Sequence, residues 1–144
     1  MGDSSPPGRG WPPMAVLAGL GLVVHLWGLY RVTGPPSPPW FPNADKLEHL
    51  IGFGLPLLLV LVTLWLRARS RGRLLPRRVV GVVVAAFALH GVVSELIQHF
   101  FYETRTGDPF DTLADWTGVL LGLLAFRLVV GTARRPVPAG TGAR

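Results

Sequence analysis

The chain has 144 residues, of which 49% are hydrophobic and 15% are charged, a composition too apolar for an ordinary water-soluble domain of this length. The net charge of +6 does not indicate nucleic-acid binding, because most of the arginines are collected in one short segment and at the C-terminus, and the basic residues form no stripe interleaved with aromatic side chains. The absence of cysteine excludes a disulfide framework, a thiolate metal site and a thiol nucleophile.

Four separate hydrophobic blocks predict an all-α membrane protein, a bundle of four transmembrane helices. The bundle is expected over residues 13–133 as one domain, since no internal repeat of fixed period is present. Residues 1–12 and 134–144 are rich in glycine, proline and small polar residues, and they are predicted to be disordered tails. The helices are expected at about 13–30, 47–66, 79–101 and 113–130.

The first block contains only one strongly polar residue, His25. A secretory signal peptide is the competing interpretation, but no A-x-A-like cleavage motif follows, so a retained helix is expected. The proline-rich segment 34–43 then connects to the second block, in which Pro56 predicts a kink that neighbouring helices accommodate.

The segment 67–78 carries six arginines and no acidic residue. A short loop with this charge between two spans is expected on the cytoplasmic side of the plasma membrane. With four spans, both termini are then expected in the cytoplasm.

In this topology, polar residues from helices 2, 3 and 4 and from the loop between helices 3 and 4 meet at the outer face. Glu95 would lie roughly 25 Å along helix 3 from the arginine-rich loop, near the edge of the hydrocarbon core. The predicted polar cluster comprises Asp45, Lys46, His49, Glu95, Gln98, Arg105, Asp108, Asp111 and Asp115.

Residues three or four apart share a helix face, which places Asp45 and Lys46 beside His49, and Asp111 beside Asp115. A charge below the interface needs a partner, and Lys46 is the expected counter-charge for Glu95 or Asp115. The simpler interpretation of Asp45 and Asp111 is helix capping, since each stands near the start of a helix.

Other residues favour structural roles. His25 and His90 are expected to form internal hydrogen bonds, and Gly118 and Gly122 form a small-xxx-small face suited to close helix packing. The aromatic residues Phe101, Tyr102 and Trp116 suit the membrane interface, or alternatively the floor of a lipid-binding groove.

Three motifs in this order resemble the VanZ-like family of small bacterial membrane proteins: D-K-x-x-H at 45–49, S-E-x-x-Q at 94–98, and R-x-x-D-x-x-D-x-x-x-D-x-x-G-x-x-x-G at 105–122. The resemblance covers roughly residues 45–122. Where many members have asparagine, this chain has Asp115, which adds a charge. The family is named for a protein that raises resistance to the glycopeptide teicoplanin, so the resemblance implies a role at the cell envelope and supplies no mechanism.

Three functions are open at this stage. The first is a non-enzymatic protein that binds membrane lipid, a lipid-linked cell-wall intermediate, a glycopeptide or another amphipathic ligand at the outer face, with Lys46 and Arg105 meeting its anionic head group. The second is a membrane enzyme in which Glu95 is the general base, His49 the acid, and Asp111 and Asp115 hold a divalent cation. The third is an assembly factor that docks a larger membrane partner through the glycines of helix 4.

Overall fold

The computed structural model describes residues 10–31, 41–103 and 107–133, and within these ranges it is helical with no β-strand. Its helices are α1 Trp11–Tyr30, α2 Ala44–Ser70, α3 Arg77–Phe101 and α4 Pro109–Thr132. All four are long and apolar enough to cross a membrane. The prediction of an all-α protein with four potential membrane spans is confirmed.

Several helix ends lie beyond the predicted ones, because the predictions followed the apolar blocks while the backbone hydrogen bonds continue through polar residues. α1 begins at Trp11, inside the segment predicted as the N-terminal tail, and α2 continues to Ser70. The remaining tail residues, 1–9 and 134–144, lie outside the described residues. Arginine is a good helix former, so the arginine-rich segment extends α2 by one turn.

α4 begins at Pro109 instead of residue 113, because Asp108 caps it: the Asp108 carboxylate accepts a hydrogen bond from the backbone N–H of Phe110 at 2.8 Å. Pro109 fits the first helical position, where a missing N–H costs nothing. Asp111 is therefore not the N-cap residue of α4, but it lies in the first turn of that helix, where a carboxylate meets the favourable end of the helix dipole. α2 is preceded by Asn43 without a side-chain cap, and Asp45 lies in its first turn.

The hydrophobic core is built around α2. Phe53, Leu57 and Leu61, at successive turns of this helix, are entirely buried. α4 contributes Val119 and Phe126 to the same core, and α1 contributes Leu29. The outward faces carry exposed large apolar side chains, as expected of a bundle whose solvent is lipid.

α2 and α4 approach each other closely through glycines. An added Cβ at Gly54 would lie 2.8 Å from the Gly118 carbonyl oxygen, and one at Gly122 would lie 2.5 Å from the Gly54 carbonyl oxygen. Neither space admits a methyl group. The predicted packing role of Gly118 and Gly122 is confirmed, and its partner on α2 is Gly54.

Consecutive helices run antiparallel, and the two ends of the bundle carry different residues. We call them the polar end and the arginine end. At the polar end, the C-terminal ends of α1 and α3 meet the N-terminal ends of α2 and α4, as the contact between Arg31 and Glu48 illustrates. At the arginine end, the last turn of α2 lies beside the start of α1, where the Arg67 guanidinium stands over the Trp11 ring at 5.6 Å.

Candidate functional site

Lys46 joins three aspartates at the polar end. Its ammonium lies 2.8 Å from Asp111 Oδ1, 3.0 Å from Asp108 Oδ2 and 3.1 Å from Asp45 Oδ2. An ammonium has three N–H donors, so these carboxylates can occupy all of them. The prediction that Lys46 is the counter-charge of Glu95 or Asp115 is therefore wrong.

His49 is instead the residue next to Asp115 and Glu95, and it lies one turn deeper in the bundle than Lys46. Its Nδ1 lies 2.9 Å from Asp115 Oδ1, a hydrogen bond between two buried side chains. The same ring nitrogen is 3.9 Å from Glu95 Oε1, and Nε2 is 3.8 Å from Asp111 Oδ2. One imidazole from α2 thus stands among three carboxylates from α3 and α4.

Two of these carboxylates each leave one oxygen without a hydrogen bond in the described part of the chain. Glu95 Oε2 accepts from the Asp108 backbone N–H at 2.9 Å, but Glu95 Oε1 has no partner. Asp115 Oδ2 is likewise buried without a partner. A buried carboxylate oxygen that lacks a donor is costly, which makes both atoms the natural contacts of a cation or a proton.

Donor atoms of His49, Glu95 and Asp111 all lie within 4.8 Å of one another. Imidazole and carboxylate ligands suit Zn²⁺, whose ligand distances of about 2.1 Å allow two ligands to be at most about 4.2 Å apart. An ion would therefore need to draw the side chains together by about half an ångström. Two aspartates were predicted to hold a cation, and one of them, Asp111, belongs to this triad. The other, Asp115, hydrogen-bonds the ring of His49 instead. Carboxylates commonly orient a metal-ligating histidine through such a hydrogen bond.

Asp108 lies just outside the membrane-spanning part of α4 and connects the two layers of the site. The N–H of Phe110 and the ammonium of Lys46 hold the pKa of Asp108 below its usual value. Its own backbone N–H donates to Glu95, so the loop before α4 is fixed to α3.

Glycines bring the three helices close enough for these contacts. A Cβ added at Gly91 would lie 3.0 Å from Asp115 Oδ2, so α3 leaves room for that carboxylate. A Cβ added at Gly107 would lie 3.0 Å from the His99 side chain and would overlap the Glu95 backbone. These two positions set how near α4 and its preceding loop approach α3.

Gln98 does not join the carboxylates. It is buried, but its side-chain amide donates to the Leu29 carbonyl oxygen at 3.2 Å and so connects α3 to α1. Arg105, the remaining member of the predicted cluster, lies outside the described residues.

A second polar network lies deeper, between α1, α2 and α3. His25 Nε2 is 3.3 Å from His90 Nδ1, and His90 Nε2 is 2.9 Å from the Tyr30 hydroxyl, which confirms the internal hydrogen bonds predicted for both histidines. Pro56 has no N–H to offer the Gly52 carbonyl oxygen one turn earlier. The His25 ring lies beside Gly52, with its Nδ1 3.7 Å from the position that a Cβ would take at that glycine.

Sequence reasoning missed the importance of Gly54 and Gly91 and the proximity of His90 to the site. His90 precedes Gly91, against which Asp115 packs. The available signal was spacing: Gly91 stands one turn before Glu95, and Gly54 stands five residues after His49, so small residues accompany the polar ones along the same helices. Among the aromatic residues of this end, Tyr102 donates a hydrogen bond from its hydroxyl to the Tyr30 carbonyl oxygen at 2.8 Å and so connects the ends of α3 and α1.

Comparison with known proteins gave no match to a family model, a curated protein or a solved structure. The resemblance to the VanZ-like family therefore remains a prediction based on the three motifs.

Proposed function

We propose that this chain is a VanZ-like protein of the plasma membrane that binds a lipid-linked or other amphipathic ligand at the polar end of the bundle. A divalent cation held by His49, Glu95 and Asp111 would contact the anionic head group of that ligand. The observation that carries the proposal is the buried approach of these three side chains, with Glu95 Oε1 lacking a hydrogen-bond partner among the residues that the structure describes.

The charge balance favours a cation over direct contact between Lys46 and an anion. Within the described residues, the site contains five carboxylates against one lysine and one histidine: Asp45, Glu95, Asp108, Asp111 and Asp115. Lys46 is already surrounded by three of them. A free phosphate would meet net negative charge, whereas a bound divalent ion offers it a positive one.

We also propose that the arginine end lies in the cytoplasm and the polar end outside, with both termini cytoplasmic. The arginine-rich turn supports this orientation through the positive-inside rule. The chain contains no cysteine, so single cysteines at Leu74 and Glu103, both exposed, can be labelled with a membrane-impermeant thiol reagent. Labelling of intact cells at Leu74→Cys, with Glu103→Cys protected, would contradict the proposed orientation.

The cation is tested by calorimetric titration of Zn²⁺ into the protein in lipid discs. Glu95→Gln removes one ligand charge while keeping the side-chain shape, and its Zn²⁺ affinity should fall at least about 10-fold. Glu48→Gln is the matched control, because Glu48 lies at the same end but is not part of the triad, and within the described ranges its ion pair is with Arg31, at 3.3 Å. Equal Zn²⁺ affinity of the two variants, or no Zn²⁺ binding by the wild type, would refute the triad as a cation site.

The ligand is tested by mass spectrometry of lipids that co-purify with and without EDTA. A lipid retained only with the cation present is the expected result, and its loss in Glu95→Gln but not in Glu48→Gln would link it to this site. If the lipid is retained equally with and without EDTA, and equally by the wild type and Glu95→Gln, the proposal is contradicted.

One contact favours a second candidate function, a membrane enzyme acting on an envelope lipid. A histidine held by a buried carboxylate is the usual arrangement of a general acid or base, and His49 with Asp115 at 2.9 Å provides it. In that case a co-purified lipid should change mass on incubation with the metal-loaded wild type and remain unchanged with His49→Gln. A lipid of constant mass in the presence of Zn²⁺, Mg²⁺ and Mn²⁺ would remove this candidate.

The assembly-factor hypothesis assumed that Gly118 and Gly122 of α4 contact a partner protein. In the structure these glycines pack against α2, so this helix face is not available to a partner. The envelope role implied by the family resemblance is tested separately, by the teicoplanin susceptibility of a strain lacking the protein. We expect increased susceptibility, and an unchanged profile would argue against the resistance role.

A further inference from the structure

A cavity of about 730 Å³ lies at the arginine end of the bundle, opposite the polar site. It is bounded by the last turns of α2 and α4, the first turns of α3 and the turn between α2 and α3. Its inner wall is apolar and includes Val84, Leu123 and Phe126. The volume is in the range of pockets that hold small molecules and far exceeds what a single inorganic anion requires.

Four arginines from different parts of the fold line the same cavity: Arg69, Arg73, Arg77 and Arg127. In the described part of the chain, none of them has a carboxylate within ion-pair distance. The seven acidic residues of the described ranges all lie at the polar end. Four cations around an apolar hollow therefore have no counter-charge from these ranges.

The backbone adds to this positive potential. α3 begins at Arg77, directly at the cavity, and no side chain caps its first turn. Free N–H groups at a helix start, together with the favourable end of the helix dipole, attract an anion. Arginine is well suited to bind phosphate oxygens in pairs.

We propose that this cavity binds an anionic phospholipid, with its phosphate among the four arginines and the upper part of an acyl chain along the apolar wall. A polar anion alone would leave the wall unoccupied, and a neutral lipid would leave the arginines uncompensated. Basic pockets between membrane helices are typical binding sites for anionic head groups. The site is distant from the cation triad and does not depend on it.

Arg73→Gln with Arg127→Gln tests the site, because this pair removes two cavity arginines from separate elements. The matched control is Arg71→Gln with Arg78→Gln, which removes the same charge from the same end but from residues that do not line the cavity. Phosphatidylglycerol is titrated into delipidated protein in detergent and bound lipid is counted by native mass spectrometry. The cavity pair should bind about 30-fold more weakly than the control pair. Equal weakening in the two pairs would overturn the proposal, since the effect would then be one of overall charge.

Two further measurements distinguish binding of a lipid from binding of a simple anion. A Cβ at Gly81, which also lines the cavity, would meet no atom within 4 Å, so Gly81→Phe can occupy the hollow without disturbing the backbone. Phosphatidylglycerol binding should fall in this variant and persist in Gly19→Phe, an equally open position on α1. It should also persist in excess inorganic phosphate. Unchanged binding in Gly81→Phe, or displacement by inorganic phosphate, would overturn the proposal.

Discussion

Gly118→Ala tests whether the packing of α2 against α4 sets the geometry of the polar site. A Cβ at this position would overlap the Leu50 carbonyl oxygen and lie 3.1 Å from the Gly54 backbone nitrogen. Backbone atoms of a helix cannot swing aside as a side chain can. To restore ordinary contact distances, the two helices must move apart by about 1 Å.

The same two helices are bridged by polar contacts at the site. His49 to Asp115 spans 2.9 Å and Lys46 to Asp111 spans 2.8 Å. A separation of about 1 Å would lengthen both beyond hydrogen-bond range. Charge-assisted hydrogen bonds contribute about 1.5–3 kcal/mol each, while alanine regains about 1 kcal/mol of helix propensity. Because Lys46 is partly exposed, we expect a net loss near the lower end, about 2 kcal/mol in the free energy of unfolding.

Thermal unfolding in lipid discs measures this loss, and the variant should melt several degrees below the wild type. Gly131→Ala is the control, because the same substitution in the same helix meets no atom within 4 Å. Zn²⁺ affinity should fall in Gly118→Ala and stay unchanged in Gly131→Ala. If the two variants melt at the same temperature, α2 and α4 are not in the close contact described, and the explanation of the site geometry fails.

Three further predictions concern the site itself. Lys46→Met leaves three aspartates without their ammonium, so the melting temperature should fall and added Ca²⁺ should recover part of it; an unchanged melting temperature would show that the ion pairs contribute nothing. The pKa of Asp108 is lowered in the fold, so its ionised form stabilises the protein above the usual aspartate pKa of about 3.9, and this contribution is lost as the pH falls from there through the lowered value. Asp108→Asn should therefore melt with a shallower pH dependence in that acidic range, and equal slopes would contradict the assignment. Gly91→Val should displace the Asp115 carboxylate, whose Oδ2 lies 3.0 Å from the new Cβ, and reduce Zn²⁺ affinity with little effect on helix content by circular dichroism; wild-type affinity would refute this.

The spans could be predicted from sequence because bilayer thickness fixes the length of an apolar block, and four such blocks are unmistakable. The ends of the helices could not be predicted in this way, because hydropathy marks where the side chains become polar and not where the backbone hydrogen bonding stops. Asp108 illustrates the difference: as the cap of α4, it adds a turn that the apolar pattern does not include.

The membership of the site was largely predictable, whereas its pairing was not. Spacing of three or four residues places His49 and Lys46 on one face of α2, but it does not say how α2 is rotated against α4. That rotation is set by Gly54 and Gly118, which allow the helices to pack backbone to backbone. In the resulting register, His49 contacts Asp115, and Lys46 contacts Asp111 of α4 and Asp108 of the preceding loop.

The separation of charge between the two ends makes the bundle an electric dipole along its long axis. In the described ranges, the arginine end carries seven arginines and no acidic residue, and the polar end carries seven acidic residues against Arg31 and Lys46. An energised membrane is negative inside, and moving one charge across it involves about 2.3 kcal/mol per 100 mV. In the proposed orientation, with the arginines on the inner side, the membrane voltage would therefore stabilise the molecule, and an inverted copy would be disfavoured more strongly in respiring cells than in de-energised ones.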